Sequence, residues 1–268
     1  MTADPSRTLI LLTRLGFVAR GLLYLVIGLL VIRTGRAEDP AGALKVLAEG
    51  GGKILLIILI AGLLSYGLWR LADAAFNIER HEQGNKGLRE RIGAGASGIA
   101  HLLLAWQAIR LMHDGGLGGG GAGSQEGAQT ALTLPGGQLA LVAAGLVLLG
   151  VGAFQLVKAY KADFLKQLEP GVAHQPWARW TGQGGYAARG LVVLLSGGFL
   201  FAAGREEQAS EAGGMAEALA WLSSPWDAIV AVGLILFGLY SLIEARFRVL
   251  HDVPVDALAD KARAKIPV

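Results

Sequence analysis

Six long apolar runs, separated by polar segments, divide the chain. Each run has about 20 residues, which is the length a helix needs to cross the hydrocarbon core of a bilayer. Only helices and closed barrels can span hydrocarbon, and these runs are too long and too continuously apolar for barrel strands. The pattern therefore predicts an all-α integral membrane protein with six transmembrane helices. The predicted spans are residues 15–33, 53–75, 92–111, 138–160, 184–203 and 227–246.

One sequence pattern occurs three times. Each copy has a glycine, three residues, then arginine or serine and a second glycine, and another small residue follows seven positions later. Seven residues is nearly two helical turns, so the small residues share one face and allow two helix backbones to approach closely. The predicted helix-packing glycines are Gly21, Gly28, Gly98, Gly190 and Gly197.

A second pattern follows each copy of the first. It reads glycine, apolar, aromatic, polar, leucine, apolar, charged, alanine, and it begins at Gly67, Gly152 and Gly238. Matches in the same order three times indicate internal repeats. We place the repeats at residues 14–80, 91–165 and 183–248 of a single membrane domain, 1–268, with a tail at 249–268.

All three repeats begin on the same side of the membrane. They are therefore predicted to be parallel, related by an axis along the membrane normal, and to form three two-helix units around a pseudo-threefold axis. A transmembrane pair carried three times, opened by G-x-x-x-R-G, resembles the bacterial domain-of-unknown-function family 1206. The resemblance covers roughly residues 14–250. It implies a six-helix membrane protein and brings no activity with it.

Charge is sorted by segment. The N-terminus, residues 77–91, residues 158–182 and the tail from 246 carry 15 Lys and Arg, whereas the three intervening segments carry five. The positive-inside rule then places both termini in the cytoplasm, and the protein in a bacterial cytoplasmic membrane. A basic inner surface suits anionic lipids, so the net charge of +3 is not read as nucleic-acid binding. The absence of cysteine excludes disulfides and thiolate metal sites.

Two repeats carry an arginine and an acid inside their predicted spans: Arg20 with Asp73, and Arg189 with Glu244. An arginine near the middle of a membrane helix costs about 2.5–3.5 kcal/mol on insertion scales, so it normally has a partner or reaches the interface. We expect ion pairs near the cytoplasmic ends of the helices, either within a repeat or to the neighbouring repeat. Three interpretations stay open: a structural lock, a cytoplasmic gate, or snorkelling without a pair.

Repeat two has lost both charges. Ser97 stands at the arginine position and Lys158 at the acidic position, so arginine and acid are lost together. Lys158 could pair with an acid of an adjacent repeat.

His101 is the other titratable residue within a predicted span, at the place of Tyr24 in repeat one. We expect a buried histidine bonded to a neighbour such as Ser97, one turn earlier; a proton relay or ligand contact is the alternative. Haem is not expected, since His113 lies about 18 Å further along the same helix. No cofactor and no metal site are predicted, because no His/Asp/Glu cluster has metal spacing.

An enzyme is the least favoured function. Gly95 to Gly98 resembles the G-x-S-G nucleophile motif of rhomboid intramembrane proteases. However, Ser97 is the counterpart of two arginines, and the later predicted spans contain no histidine that could act as a base.

Two other classes remain. The first is a non-catalytic module that binds a membrane protein partner or lipid, which the mostly apolar spans favour. The second is a small-solute or ion transporter or channel with a cytoplasmic ion-pair gate. Its support is a plan of three two-helix repeats similar to that of mitochondrial carriers, although the carrier signature P-x-D/E-x-x-K/R is absent from the odd-numbered spans. Many polar side chains facing the threefold axis would favour the second class.

Overall fold

A computed structural model describes residues 5–35, 37, 40–77, 84–114 and 120–249. These residues form nine α-helices and two short 3-10 helices, Asp163–Gln167 and Ala209–Glu211, and contain no strand beyond one isolated bridge, Leu168 with Arg248. The helices are α1 (Pro5–Thr34), α2 (Pro40–Phe76), α3 (Asn85–Asp114), α4 (Gly120–Leu132), α5 (Gly137–Lys161), α6 (Pro170–Ala173), α7 (Pro176–Glu206), α8 (Met215–Trp221) and α9 (Trp226–Phe247). The all-α prediction is confirmed.

Six of these helices are long and apolar enough to cross a membrane: α1, α2, α3, α5, α7 and α9. The six predicted runs fall in these six helices. Several helices extend beyond the predicted spans; α3 begins at Asn85 and α7 at Pro176, because charged and polar residues continue the helix past the apolar stretch.

The segment before the second span differs from its prediction in repeat one. The apolar residues Leu44, Val46 and Leu47, followed by three glycines, predict a short interfacial helix that ends at Gly50–Gly52. In the structure, however, α2 runs unbroken from Pro40 through these glycines. In repeats two and three the corresponding segments are separate helices, α4 and α8, and each is followed by a proline, Pro135 or Pro225. Proline lacks the amide hydrogen that would continue a helix, and repeat one has none at this point.

Two other expectations concern segments that are only partly described. The glycine-rich sequence around residues 115–123 predicts a flexible linker; residues 120–123 begin α4, and 115–119 lie outside the described residues. The polar and basic sequence of the tail predicts a short amphipathic helix at 256–265, which also lies outside them.

The long helices pack side by side in the order α3, α2, α1, α9, α7, α5. Each packs antiparallel to its neighbour: Gly21 of α1 contacts Gly238 of α9, whereas Gly28, further along α1, contacts Ala231, earlier on α9. The first helices of the three repeats therefore run parallel. Along their described residues, α3 and α5 do not pack closely on each other. They are also the least buried spans, at 28% and 22%, so they form the two ends of the series.

The closest helix contacts join different repeats at equivalent glycines. A Cβ on Gly21 would lie 2.9 Å from the carbonyl oxygen of Gly238, and one on Gly98 would lie 2.9 Å from that of Gly67. A Cβ on Gly190 would lie 3.1 Å from the oxygen of Gly152. Each repeat thus crosses its first helix over the second helix of the preceding repeat, with repeat three preceding repeat one.

Two of these interfaces have a second close contact about two helical turns further along the first helix. A Cβ on Gly28 would lie 2.7 Å from the carbonyl oxygen of Ala231, and one on Gly197 would lie 2.7 Å from the amide nitrogen of Leu149. Small residues therefore bring the backbones together at two successive levels of the α1–α9 and α5–α7 crossings. Between the crossings, large apolar side chains such as Ile27, Leu59 and Leu234 fill the interior with no exposed surface.

Candidate functional site

Arg20 of α1 lies at the centre of a buried polar network. Its Nε donates to the Ser241 hydroxyl at 3.0 Å, its Nη1 donates to the Tyr66 hydroxyl at 2.7 Å, and its Nη2 forms an ion pair with Glu244. The three partner side chains come from two helices, α9 and α2, and Arg20 is only 7% exposed. All three guanidinium nitrogens therefore donate to protein side chains.

Glu244 holds two arginines at once. One carboxylate oxygen accepts from Arg20 and the other accepts from Arg248, one turn further along the chain. Arg248 also donates to the side-chain oxygen of Gln167 at 2.7 Å. This set of residues, Arg20, Tyr66, Ser241, Glu244, Arg248 and Gln167, is called the Arg20 network below.

A short backbone pairing positions Arg248. The amide of Glu169 donates to the carbonyl of Phe247 at 2.9 Å, and the amide of Val249 donates to that of Gln167 at 3.0 Å. Sequence reasoning missed Arg248, because it follows the last apolar run and was counted among the basic residues of the tail. Its spacing of four residues from Glu244 was the available signal, since such residues are neighbours on a helix.

Aromatic rings enclose both cations of the network. The Arg20 guanidinium carbon lies 4.8 Å from the centroid of Phe17 and 5.2 Å from that of Phe237. Arg248 lies 5.1 Å from the centroid of Phe17 and 5.6 Å from that of Trp69. Ring faces carry negative charge density, so they stabilise a cation held away from water.

Arg20 and Asp73, the pair that the within-repeat alternative requires, do not bind each other. The acid bound to Arg20 belongs to repeat three, and Asp73, which is fully buried, instead forms an ion pair with Arg70 at 3.5 Å. The reason is the crossing pattern: α1 lies along α9 at this level, so the nearest acid is on the preceding repeat. Of the two alternatives, the structure has the Arg20 pair between repeats.

Arg189 and Glu244, the within-repeat alternative in repeat three, do not bind each other either, for the same reason. Arg189 lies along α5, where its Nη1 donates to the side-chain oxygen of Gln155 at 2.7 Å. Its Nε donates to the Tyr24 hydroxyl at 2.9 Å, and its guanidinium carbon lies 5.2 Å from the Phe237 centroid. Arg189 is therefore held by neutral groups.

Lys158 has no carboxylate partner among the described residues. Its Nζ lies 4.7 Å from the ring centroid of Tyr186 on α7. The sequence left open a pair with an acid of an adjacent repeat, but the side chain that α7 places against Lys158 is that of Tyr186.

His101 is buried, and its imidazole Nδ1–H donates to the backbone carbonyl of Ser97 at 2.7 Å. Ser97, the expected neighbour, therefore binds His101 through its backbone carbonyl. The ring centroid lies 4.5 Å from that of Tyr66, whose hydroxyl accepts from Arg20. His101 therefore adjoins the Arg20 network through a ring contact. No group of three or more His, Asp and Glu that could hold a metal ion occurs in the described part of the chain.

Three separated segments of the chain match one family model. The model is that of a Domain of Unknown Function (DUF1206), and it matches residues 15–77, 92–162 and 184–248. The chain belongs to this family. The three matched segments correspond to the three repeats, which confirms the resemblance seen in the sequence.

This DUF1206 protein is similar to the uncharacterised protein YxxB of Bacillus subtilis (strain 168). The two are 30% identical over 250 residues, which cover 88% of this chain and 90% of YxxB. No solved structure matches the chain. The Arg20 network joins two of the segments that match the DUF1206 model. Arg20 and Tyr66 belong to the first segment, and Ser241 and Glu244 belong to the third.

Proposed function

We propose that this protein is a non-catalytic, multi-pass membrane module that binds a lipid or a protein within the bacterial cytoplasmic membrane. The basic segments, including residues 158–182, face the cytoplasm together with both termini, as the sorting of Lys and Arg along the chain supports. Anionic lipids are the partners that this charge favours on that face.

The observation that carries the proposal is the closed state of the Arg20 network. Every nitrogen of Arg20 donates to a different acceptor, and both carboxylate oxygens of Glu244 accept from an arginine. Breaking a buried ion pair by removing one partner costs about 3–5 kcal/mol, so a gate made from these groups would be held strongly shut. The network supports the interpretation as a lock that fixes helix packing.

The three glycine crossings support the wider architecture. Gly21 on Gly238, Gly98 on Gly67 and Gly190 on Gly152 are equivalent contacts between successive repeats, closing in a cycle. We infer from them three parallel hairpins around a pseudo-threefold axis, with an opening between α3 and α5, which do not pack closely on each other along their described residues. A rigid frame with one loosely packed side suits a protein that holds a partner.

A small-solute or ion transporter is the second candidate. One specific observation favours it: each of the six spans brings a polar side chain to the interior. These side chains are Arg20 on α1, Tyr66 on α2, His101 on α3, Gln155 on α5, Arg189 on α7 and Ser241 on α9. We place this candidate second because most of these groups are bound to each other and packed by rings.

Native mass spectrometry of the protein extracted in lipid particles tests the proposal. A protein or lipid that remains bound in stoichiometric amount is the expected result. If nothing remains bound, and liposomes containing the protein pass small anions or cations faster than liposomes without it, the transporter replaces the binding module. Glu244→Gln is the matched variant, since a gate would leak when its acid is removed, whereas a lock would only lose stability.

A further inference from the structure

The interface between α5 and α7 repeats the interface between α9 and α1, with one reversal of charge. Alignment of Gly152 with Gly238 places Gln155 at the position of Ser241 and Lys158 at the position of Glu244. Arg189 of α7 corresponds to Arg20 of α1. Where Arg20 meets an acid, Arg189 therefore meets a helix that carries a lysine.

No carboxylate binds Arg189 among the described residues. Its two hydrogen bonds go to the Tyr24 hydroxyl at 2.9 Å and to the Gln155 oxygen at 2.7 Å, both of which are neutral. Neutral acceptors satisfy N–H groups but leave the net charge in place. Arg189 is partly exposed, whereas its counterpart Arg20 is buried.

Lys158 adds a second cation to the same interface. It lies one turn after Gln155 on α5, and its Nζ contacts the ring of Tyr186, which lies one turn before Arg189 on α7. Two positive charges at one interface repel each other, and the repulsion grows as the surroundings become less polar. A negative group from outside the described chain would offset both charges.

Gln155 supplies an independent observation. Its side chain is only 4% exposed, and its amide nitrogen, Nε2, has no hydrogen-bond partner. The orientation of the amide is fixed, because its oxygen must face the N–H of Arg189. A buried N–H group without an acceptor costs free energy. The interface therefore has an unpaired hydrogen-bond donor as well as an excess of positive charge.

We propose that the α5–α7 interface binds an oxyanion, a phosphate or carboxylate group, through Arg189, Lys158 and Gln155. Such a group accepts hydrogen bonds from all three side chains and neutralises the two cations. The inference rests on the proposed binding function and names the chemistry of the ligand. Lys158 lies within one turn of the end of α5, so the headgroup of an anionic lipid can reach it; a free anion has the same chemistry.

The test compares two sources of the oxyanion on the full-length protein in an uncharged detergent. The thermal unfolding midpoint is measured with phosphatidylglycerol, with phosphatidylcholine as the zwitterionic reference, and separately with inorganic phosphate. A rise of about 5 °C over the reference is expected for the wild type at a ligand concentration near 100 times Kd. A rise with phosphatidylglycerol alone assigns the site to a lipid headgroup, and a rise with phosphate as well assigns it to a free anion.

Lys158→Glu is the deciding variant. It places an acid at the position that Glu244 has on α9, so Arg189 gains an internal partner. We expect a higher midpoint without added anion and no further rise with either ligand. Arg189→Gln should also abolish the rise. Lys161→Glu makes the same charge change at an exposed position on the last turn of α5 and should keep it.

Two results overturn the inference: no anion-dependent rise in the wild type, or an equal rise in Lys158→Glu. If a lipid or protein still co-purifies with both forms, the proposed binding function survives this failure. If phosphate alone raises the midpoint and no lipid or protein co-purifies, the oxyanion site stands and the proposed binding function fails.

Discussion

Glu244 of α9 and Lys158 of α5 occupy the same position in their repeats and carry opposite charges. Each faces the helix that begins the next repeat, where Glu244 forms an ion pair with Arg20 and Lys158 contacts the ring of Tyr186. At the α1–α9 interface a carboxylate therefore binds the arginines, whereas at the α5–α7 interface Arg189 and Lys158 have no carboxylate partner among the described residues. This difference between equivalent positions explains why the protein is expected to bind an anion at only one of its repeat interfaces.

Glu244→Gln should lower the free energy of unfolding by about 3–5 kcal/mol, because it leaves Arg20 and Arg248 buried without their shared acid. Denaturation by SDS in mixed micelles measures the change. Glu211→Gln, at an exposed position, is the control and should change it by less than about 0.5 kcal/mol. A loss as small as that of the control would contradict the role of Glu244 in the network.

A double-mutant cycle of Arg20→Gln and Glu244→Gln separates the pair from its surroundings. The coupling energy should be about 1–3 kcal/mol, as expected for residues in one network. A charge swap is not expected to rescue stability, since an arginine at position 244 would face Arg248. Additive effects of the two substitutions would show that Arg20 and Glu244 do not interact.

Gly21→Ala should destabilise the protein by about 1–3 kcal/mol, because the added Cβ would meet the backbone of α9. The added atom would lie 2.9 Å from the Gly238 oxygen and 2.9 Å from a methyl group of Leu242. Gly93→Ala is the matched control within a helix that has no atom within 4 Å of the added Cβ. It should be neutral or stabilise by up to about 1 kcal/mol. Equal effects at both positions would argue against the close α1–α9 crossing.

The spans and the glycine crossings could be predicted from the sequence, whereas the ion-pair partners could not. Apolar length and small-residue spacing are local signals, and they identified the six helices and Gly21, Gly98 and Gly190. The partner of Arg20 depends on which repeat lies beside α1, which is a property of the packed bundle. The same limit applies to Arg189. Its neighbour Gln155 could not be identified, because the repeat pattern marks position 155 only as polar.

The α2–α3 interface can be given the residues of the α1–α9 interface as a test of their equivalence. On α2, Arg70 and Asp73 occupy the positions of Ser241 and Glu244, and Ser97 on α3 occupies that of Arg20. Arg70→Ser should destabilise by about 1–3 kcal/mol, since buried Asp73 loses its ion pair at 3.5 Å. Adding Ser97→Arg should recover at least half of the loss, because it reproduces the arrangement at the α1–α9 interface. No recovery would contradict the equivalence of the interfaces.

Membrane orientation can be tested with single cysteines, because the natural chain has none. Ser210→Cys lies in the segment predicted outside, and Gly171→Cys lies in the basic segment predicted inside. A membrane-impermeant maleimide should label the first in intact cells and the second only after the membrane is opened. The reverse pattern would place the termini outside.

The anion site can be seen directly in cryo-electron microscopy maps of the wild type and of Lys158→Glu in lipid nanodiscs containing phosphatidylglycerol, with a bound antibody fragment to add mass. We expect headgroup density in contact with Arg189, Lys158 and Gln155 in the wild type. In Lys158→Glu we expect an ion pair with Arg189 and no such density. A wild-type interface without density, or the same density in both maps, would contradict the proposal that the charge reversal at Lys158 creates an anion site.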